Sequence, residues 1–276
     1  MFSVSSDRRR KLGLLAALLP LLIPGLSHAA SELVLDANES KPYWSTSMVD
    51  GGMCGEIVHA VARAAGIKVA IQFEPLQRMI EDDSNNDLGN PGFFVRNQAF
   101  SAIVPIALYH PAVFSYLPNH RHHAVVHSLT DLKGHKVGLL KGVLVDRSAL
   151  ERAGVVFEES YSQESLFKKL RKGRLDLVIE IDLVGKNLIH ELFPDEQSDF
   201  SIDRIDKAES PIAIMISEKQ PDSAAIAAAL RKGLQQIRDS GEYRAIVEKH
   251  YGGILPDGYM RTLDRYTMLY SFGEEE

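Results

Sequence analysis

The feature that most constrains the fold of this chain is a regular alternation between short strand patterns and amphipathic helix patterns. Residues 68–73 alternate apolar and polar side chains as a half-buried strand does, whereas residues 55–65 repeat apolar side chains every three or four positions, as a helix does. Apolar strand segments follow at residues 136–140, 175–181 and 211–217. Strands that alternate with helices predict an α/β fold with mostly parallel sheets covered by helices.

Several function classes lose their usual markers in this sequence. The chain has no Gly-rich nucleotide-binding motif and no serine-hydrolase elbow. Its 31 basic and 37 acidic side chains give a net charge of −6, which argues against a nucleic-acid partner. The single cysteine, Cys54, excludes an intramolecular disulfide and a thiolate zinc site. We predict that the protein uses no cofactor.

Four histidines lie close together in the sequence, at His120, His122, His123 and His127. The adjacent pair would point to opposite faces of a strand, which is poor geometry for chelation. We therefore predict no metal site, and we interpret the cluster as a solvated, pH-responsive hinge.

The N-terminal segment has the three parts of a secretory signal. Basic residues 8–11 precede an apolar run at residues 12–26, and small side chains follow at a cleavage position near Ala29. The apolar run is shorter than the ~20 residues that a membrane-spanning helix needs, and two prolines interrupt it. We predict that residues 1–29 are a cleaved signal peptide and that the mature protein lies outside the cytoplasm. The general and the twin-arginine export routes both remain open.

Four segments occur in a characteristic order along the rest of the chain. They are residues 73–78 (FEPLQR), Arg96 with Pro105 nine positions later, residues 129–138 (LTDLKGHKVG) and residues 170–179 (LRKGRLDLVI). Together they resemble the periplasmic solute-binding proteins of polar amino-acid ABC importers, known as bacterial extracellular solute-binding protein family 3.

This resemblance implies a two-lobed periplasmic binding protein fold of type II, with two hinge strands and a ligand cleft between the lobes. Lobe 1 would comprise residues 31–123 and 217–276, and the helical tail at its end would dock on lobe 1 or on a partner. Lobe 2 would comprise residues 128–209. The hinge strands would lie at residues 123–127 and 212–216.

The resemblance also implies a function without chemistry. A periplasmic, monomeric receptor would capture a small polar solute, such as an amino acid or a related carboxylate, for the membrane permease of an ABC importer or for a sensor protein. Two alternatives remain. One is a periplasmic enzyme on the same fold, similar to cyclohexadienyl dehydratase, in which Glu180 protonates a leaving hydroxyl. The other is a partner-binding protein whose cleft has degenerated.

Charged residues for such a ligand follow from the family pattern. Arg96 stands where the family places its carboxylate-binding arginine, and a guanidinium offers two parallel donors to a carboxylate. The family's ammonium-binding acid would fall at Ile181, which Glu180 and Asp182 flank. Alternate residues of a strand face opposite sides, so Glu180 and Asp182 would share one face and Ile181 would take the other. Either a bulge restores the acid, with Glu180 or Asp182 as the candidate for the ammonium, or the ligand is not a standard α-amino acid.

Aromatic candidates for the cleft are Tyr43 and Trp44, which follow the first strand, and Phe93, which occupies a cleft-lining turn of the family. Trp44 is the only tryptophan, so its fluorescence would report on a closing cleft.

Three further candidates complete the predicted site. Arg78, within its Pro-x-x-Arg context, would serve a second anionic group. Gly142 and Val143 belong to a loop at a helix start whose backbone N–H groups suit an anion. Val143 replaces the family's hydroxyl residue, so the main chain alone would supply donors there.

Overall fold

The alternating pattern folds into two five-stranded sheets covered by helices. The computed structural model describes residues 32–82, 84–94, 99–119, 126–141, 147–205 and 207–272. The strands are β1 (Leu33–Ala37), β2 (Val69–Phe73), β3 (Asp87–Gly89), β4 (Phe100–Tyr109), β5 (Pro111–Tyr116), β6 (Lys136–Leu140), β7 (Val156–Ser160), β8 (Leu177–Ile181), β9 (Phe200–Arg204) and β10 (Ser210–Ser217). The helices are α1 (Met53–Ala65), α2 (Leu76–Glu81), α3 (Pro91–Phe94), α4 (Arg147–Arg152), α5 (Gln163–Arg171), α6 (Asp182–Leu192), α7 (Ser223–Asp239), α8 (Glu242–His250) and α9 (Tyr259–Phe272).

The first sheet forms lobe 1 and has the strand order β2-β1-β3-β10-β4. β1 pairs in parallel with β2 and β3, whereas β10 runs antiparallel to β3 and β4. Helices α1, α7 and α9 pack against β4 of this sheet. β10 forms after the chain returns from the other lobe. Because it runs antiparallel to both of its neighbours, the sheet is mixed.

The second sheet forms lobe 2 and has the strand order β7-β6-β8-β5-β9. β6 pairs in parallel with β7 and β8, and β5 runs antiparallel to β8 and β9. The two sheets therefore have the same arrangement. In each sheet, the strand that forms directly after the chain crosses from the other lobe runs antiparallel to its neighbours. The predicted two-lobed α/β fold is confirmed, but each sheet is half parallel rather than mostly parallel.

The chain passes between the lobes earlier than the family pattern predicted. β4 ends at Tyr109 in the first sheet and β5 begins at Pro111 in the second, so the crossing lies at His110. The predicted first-part boundary at residue 123 is therefore wrong, because β5 already belongs to lobe 2. The chain returns to lobe 1 between the end of β9 at Arg204 and the start of β10 at Ser210, and β10 is wholly part of the first sheet. Of the predicted hinge at residues 123–127, only residues 126 and 127 lie in the described part of the chain.

The largest apolar core among the described residues lies mainly in lobe 1, includes Ile181, Leu183 and Val184 of lobe 2, and holds the C-terminal helix. Tyr259 and Leu263 of α9 are fully buried in this core, and the Tyr259 hydroxyl accepts a hydrogen bond from the backbone N–H of Leu108 at 3.2 Å. Cys54 is buried in the same core as a small apolar residue. We predicted that the C-terminal tail docks on lobe 1 or on a partner, and the structure shows that it packs on lobe 1.

Across the described ranges, every helix falls short of the length and apolar content that crossing a bilayer requires.

Candidate functional site

A cavity of about 460 Å³ lies between the two lobes, at the carboxyl ends of the parallel strands of both sheets. Both lobes belong to one compact unit, and each contributes walls. The described lining residues are Asn38, Glu39, Ser40, Lys41, Leu76, Gly89, Asn90, Phe93, Phe94 and Tyr109 from lobe 1, and Leu140, Gln163, Glu180, Ile181, Val184, Asn187, Leu188 and Glu191 from lobe 2. A crevice at strand carboxyl ends is where α/β proteins usually bind small ligands.

Glu180 is the buried carboxylate of this cavity, with only 4% of the residue exposed. Its Oε2 accepts a hydrogen bond from Nε2 of Gln163 at 2.8 Å, and its Oε1 accepts one from the backbone N–H of Ile181 at 2.9 Å. Burial raises the pKa of Glu180 above its usual value, although both hydrogen bonds act to lower it. Among the described residues, none forms an ion pair with this carboxylate.

The other charged side chains of the cavity have partners of their own. Nζ of Lys41 lies 3.4 Å from Oε1 of Glu191, and this ion pair joins lobe 1 to α6 of lobe 2. Oε1 of Glu39 accepts hydrogen bonds from the backbone N–H and the hydroxyl of Thr46, at 2.8 and 2.6 Å. Lys41 is the one cationic side chain among the described lining residues, which also include three carboxylates. The described lining is therefore acidic.

Apolar side chains from both lobes cover much of the remaining wall. Leu76 and Phe93 of lobe 1 are half-buried, as are Leu140 and Leu188 of lobe 2. Val184 of α6 and Phe94 of α3 lie behind them and are buried. These side chains leave apolar surface in contact with water inside the cavity, and an apolar ligand group would cover it.

The structure brings two of the predicted site residues to this cavity, Phe93 and Glu180. Three others, Arg96, Gly142 and Val143, lie outside the described residues. The histidines at 120, 122 and 123 also fall outside them. Within the described ranges, no three histidine, cysteine or acidic side chains converge as metal ligands would.

Asp182 lies in a buried contact between the lobes and not with the residues that line the cavity. β8 ends at Ile181 and α6 begins at Asp182, so the two flanking acids do not share a strand face as predicted. Oδ2 of Asp182 accepts a hydrogen bond from Nε of Arg204 at 2.8 Å, and the Tyr43 hydroxyl lies 3.5 Å from Oδ1. The predicted ligand residues Tyr43 and Asp182 thus contact each other across the lobes.

Trp44 and Arg78 also lie away from the described cavity wall. Trp44 is fully buried in the core of lobe 1, as is its sequence neighbour Tyr43. Arg78 is exposed on α2, and its Nη1 donates to Oε2 of Glu74 at 2.6 Å, an i,i+4 pair on the surface. The aromatic wall and the second anion-binding group that we predicted there are not formed by these two side chains.

The sequence analysis missed most of the cavity lining, including Asn38, Lys41, Gln163 and Asn187. A simple signal was present. Asn38 directly follows β1, Lys41 lies in the loop after β1, and Gln163 begins the helix after β7. All three therefore lie near the carboxyl end of a strand, where ligands of parallel α/β sheets bind. Asn187 lies one helical turn and a half beyond β8, on the face of α6 that carries Val184 and Glu191.

No protein-family model and no curated protein matches the sequence. Similarity is found at the level of structure. A histidine kinase sensor domain with similarity to periplasmic binding proteins has a TM-score of 0.61 and 20% identity, over 82% of this chain and 98% of that chain. An amino-acid ABC transporter substrate-binding protein from Streptococcus pneumoniae, bound to L-arginine, has a TM-score of 0.57 and 20% identity, over 80% and 95%.

A third similar structure is the arginine-, lysine-, histidine-binding protein ArtJ from Geobacillus stearothermophilus. It has a TM-score of 0.57 and 17% identity, over 82% of this chain and 97% of that chain. These similarities establish that the chain has the fold of periplasmic binding proteins. The resemblance drawn from the sequence motifs is thereby confirmed for the fold. The first of these proteins is a sensor domain, and the other two are binding proteins.

Proposed function

We propose that this protein is an extracytoplasmic receptor that binds a small polar solute between its lobes and catalyses no reaction. The observation that carries the proposal is the cavity of about 460 Å³ with walls from both lobes and a buried carboxylate, Glu180, inside it. A volume of this size suits one amino acid or a molecule of similar size.

The downstream partner in this proposal is a membrane protein that recognises the ligand-bound arrangement of the two lobes. Structural neighbours include both substrate-binding proteins of ABC transporters and a sensor domain of a histidine kinase, so transport and signalling are both compatible with the fold. The N-terminal signal pattern at residues 1–29 supports export to the periplasm. The assignment of Arg96 to a ligand carboxylate rests on the family pattern alone.

A thermal-shift screen of the purified mature protein against amino acids, amines and small organic acids tests this proposal. A bound solute stabilises the native state by RT ln(1 + [L]/Kd), about 2.7 kcal/mol at a hundredfold excess over Kd. We expect at least one solute to raise the melting temperature and to be recovered unchanged after incubation. Conversion of the solute into a product would favour the enzyme alternative.

A cavity-filling variant provides the matched comparison. Asn187→Trp places a large ring from α6 into the cavity and should abolish the thermal shift, whereas His190→Trp adds the same ring to an exposed position of the same helix and should not. If both variants respond to the solute as the unmodified protein does, the solute binds elsewhere and the proposal fails. Osmotic-shock fractionation of expressing cells tests export separately.

A further inference from the structure

We propose that the solute carries a positively charged ammonium or guanidinium group on an apolar body. The inference rests on the proposed receptor function and assigns a ligand class to the same cavity. It follows from the charges and the apolar surface of the described lining residues.

Glu180 is the group of this cavity that would recognise a cation. This carboxylate is buried in the cavity, is held by Gln163 and by the backbone N–H of Ile181, and has no cationic partner among the described residues. A buried charge without an opposite charge is costly, and a ligand cation in contact with it would remove much of that cost. Gln163 fixes the direction in which the carboxylate offers its remaining lone pairs.

The residue that could otherwise neutralise this acidity is already engaged. Nζ of Lys41 lies 3.4 Å from Glu191, and both side chains are partly exposed at the side of the cavity. Glu39 adds a further negative charge, held by Thr46. The described lining therefore carries an excess of negative charge, which attracts a cation and disfavours a ligand whose only charge is negative.

The apolar body is required by the facing walls. Leu76 and Phe93 of lobe 1 and Leu140 and Leu188 of lobe 2 are half-buried around the same space. A ligand with a polar side chain would leave these four surfaces without an apolar partner and would lose its own hydration. An aryl or branched alkyl group buries them on both sides at once, and each buried methylene contributes about 0.8 kcal/mol.

Titration calorimetry with four probes of matched size tests the inference. The probes are phenethylamine, L-phenylalanine, 3-phenylpropionate and L-glutamine. We expect the two probes that combine a cation with a phenyl ring to bind at least tenfold more tightly than 3-phenylpropionate, which lacks the cation, and than L-glutamine, which lacks the ring. Equal or tighter binding of either comparison probe would overturn the ligand class.

Two substitutions separate the two parts of the inference. Glu180→Gln keeps the shape and an acceptor oxygen but removes the charge, and should weaken phenethylamine binding at least tenfold. Phe93→Ala removes apolar wall and should weaken it at least threefold, whereas Arg78→Ala, on the exposed face of α2, should leave it unchanged. Unchanged affinity in Glu180→Gln would contradict the inference, and circular dichroism verifies that each variant is folded.

The pH dependence supplies a readout that a structural role of Glu180 would not give. Affinity for phenethylamine should fall as pH is lowered through the raised pKa of Glu180, and this fall should disappear in Glu180→Gln. If L-glutamine binds and both phenyl amines do not, the receptor function stands and this ligand class fails. If no small solute of any charge binds, the receptor function itself fails.

Discussion

A single residue, Asp87, carries an electrostatic cost that makes the stability of lobe 1 depend on pH. It is fully buried on β3, and neither of its carboxylate oxygens has a hydrogen-bond partner in the part of the chain that the structure describes. Asp36 lies beside it in the parallel register of β1 and β3. Burial, together with the negative charges of Asp36 and Asp82, raises the pKa of Asp87 to about 8.

The direction of the effect follows from proton binding. Between the usual aspartate pKa of 3.8 and about 8, the native state keeps a proton on Asp87 that the unfolded chain releases, so stability falls as pH rises through this interval. Asp87→Asn removes this penalty and should stabilise the protein by about 2–4 kcal/mol at pH 8, and by much less at pH 4. Urea unfolding at both pH values measures the difference. The exposed Asp257→Asn is the control and should change stability by less than ~0.5 kcal/mol. A pH-independent effect of Asp87→Asn would contradict the proposed role of its buried charge.

Trp44 is buried in the core of lobe 1, although its position in the sequence predicted a residue of the cleft. The only tryptophan of the chain is fully buried in the core of lobe 1, so it does not report on the cavity as its position after β1 suggested. We expect iodide to quench the native emission only weakly and to quench the urea-unfolded protein strongly. Strong quenching of the native protein would show that the indole is exposed to water.

At the scale of elements, α1 and α7 approach so closely that only glycine fits at one contact. A Cβ atom on Gly233 would lie 2.5 Å from the carbonyl oxygen of Val61 and 3.0 Å from the backbone nitrogen of Ala65. Backbone atoms cannot rotate away, so the two helices would have to separate. The short side chain is therefore a requirement of this helix pair.

Replacing Gly233 with alanine should worsen the packing between α1 and α7 while it improves the helix propensity of α7. Alanine is a better helix former than glycine by about 1 kcal/mol, yet Gly233→Ala should destabilise the protein by about 1–3 kcal/mol, because overpacking outweighs propensity. Lys232→Ala, next to it on the exposed face, should change stability by less than ~0.5 kcal/mol. Chemical denaturation of both variants decides the matter, and a stabilising Gly233→Ala would refute the close packing.

Elements with strong local periodicity were predictable from the sequence. Residues 136–140 form the predicted strand β6, and the helix predicted at residues 55–65 is α1, which begins two residues earlier and ends at the same residue. β3, β5 and β9 were missed. β3 has only three residues and lies within a polar segment. β5 is defined by its pairing with β8 and β9, and β9 by its pairing with β5, and these partners lie far away in the sequence. Such pairing leaves no periodic signal within the strand.

The same limit explains the partial prediction of the site. Phe93 and Glu180 were found because each lies within or next to a motif. Asp182 was misplaced because the change from strand to helix directly after Ile181 moves its side chain away from the strand alternation. Lys41 and Gln163 come from different lobes, and their position at one cavity follows from the crossing of the chain at His110, which no local pattern marks.

At the scale of the whole molecule, the two lobes meet around a buried charge. Asp182 is fully buried at the start of α6, and its backbone N–H donates to the carbonyl of His110 at 2.9 Å, at the crossing between the lobes. Its ion-pair partner Arg204 belongs to lobe 2, and the Arg204 guanidinium lies 5.8 Å from the ring centroid of Tyr251 in lobe 1. Tyr43 of lobe 1 faces the same carboxylate.

This arrangement predicts unequal effects of removing each partner. Arg204→Met leaves the fully buried carboxylate of Asp182 without its cation and should destabilise the protein by about 2–4 kcal/mol. Asp182→Asn should cost less, because the Arg204 side chain is 39% exposed and reaches water on its own.

A double-mutant cycle measured by urea unfolding tests the ion pair. Once Asp182→Asn is in place, adding Arg204→Met should cost little more, which gives a coupling free energy above about 1 kcal/mol. Arg171→Met, which breaks an exposed ion pair with Glu196 within lobe 2, should change stability much less than Arg204→Met does, because solvent screens exposed ion pairs. Additive effects of the Asp182 and Arg204 substitutions would show that the two side chains do not stabilise the protein as an ion pair, since independent sites do not couple.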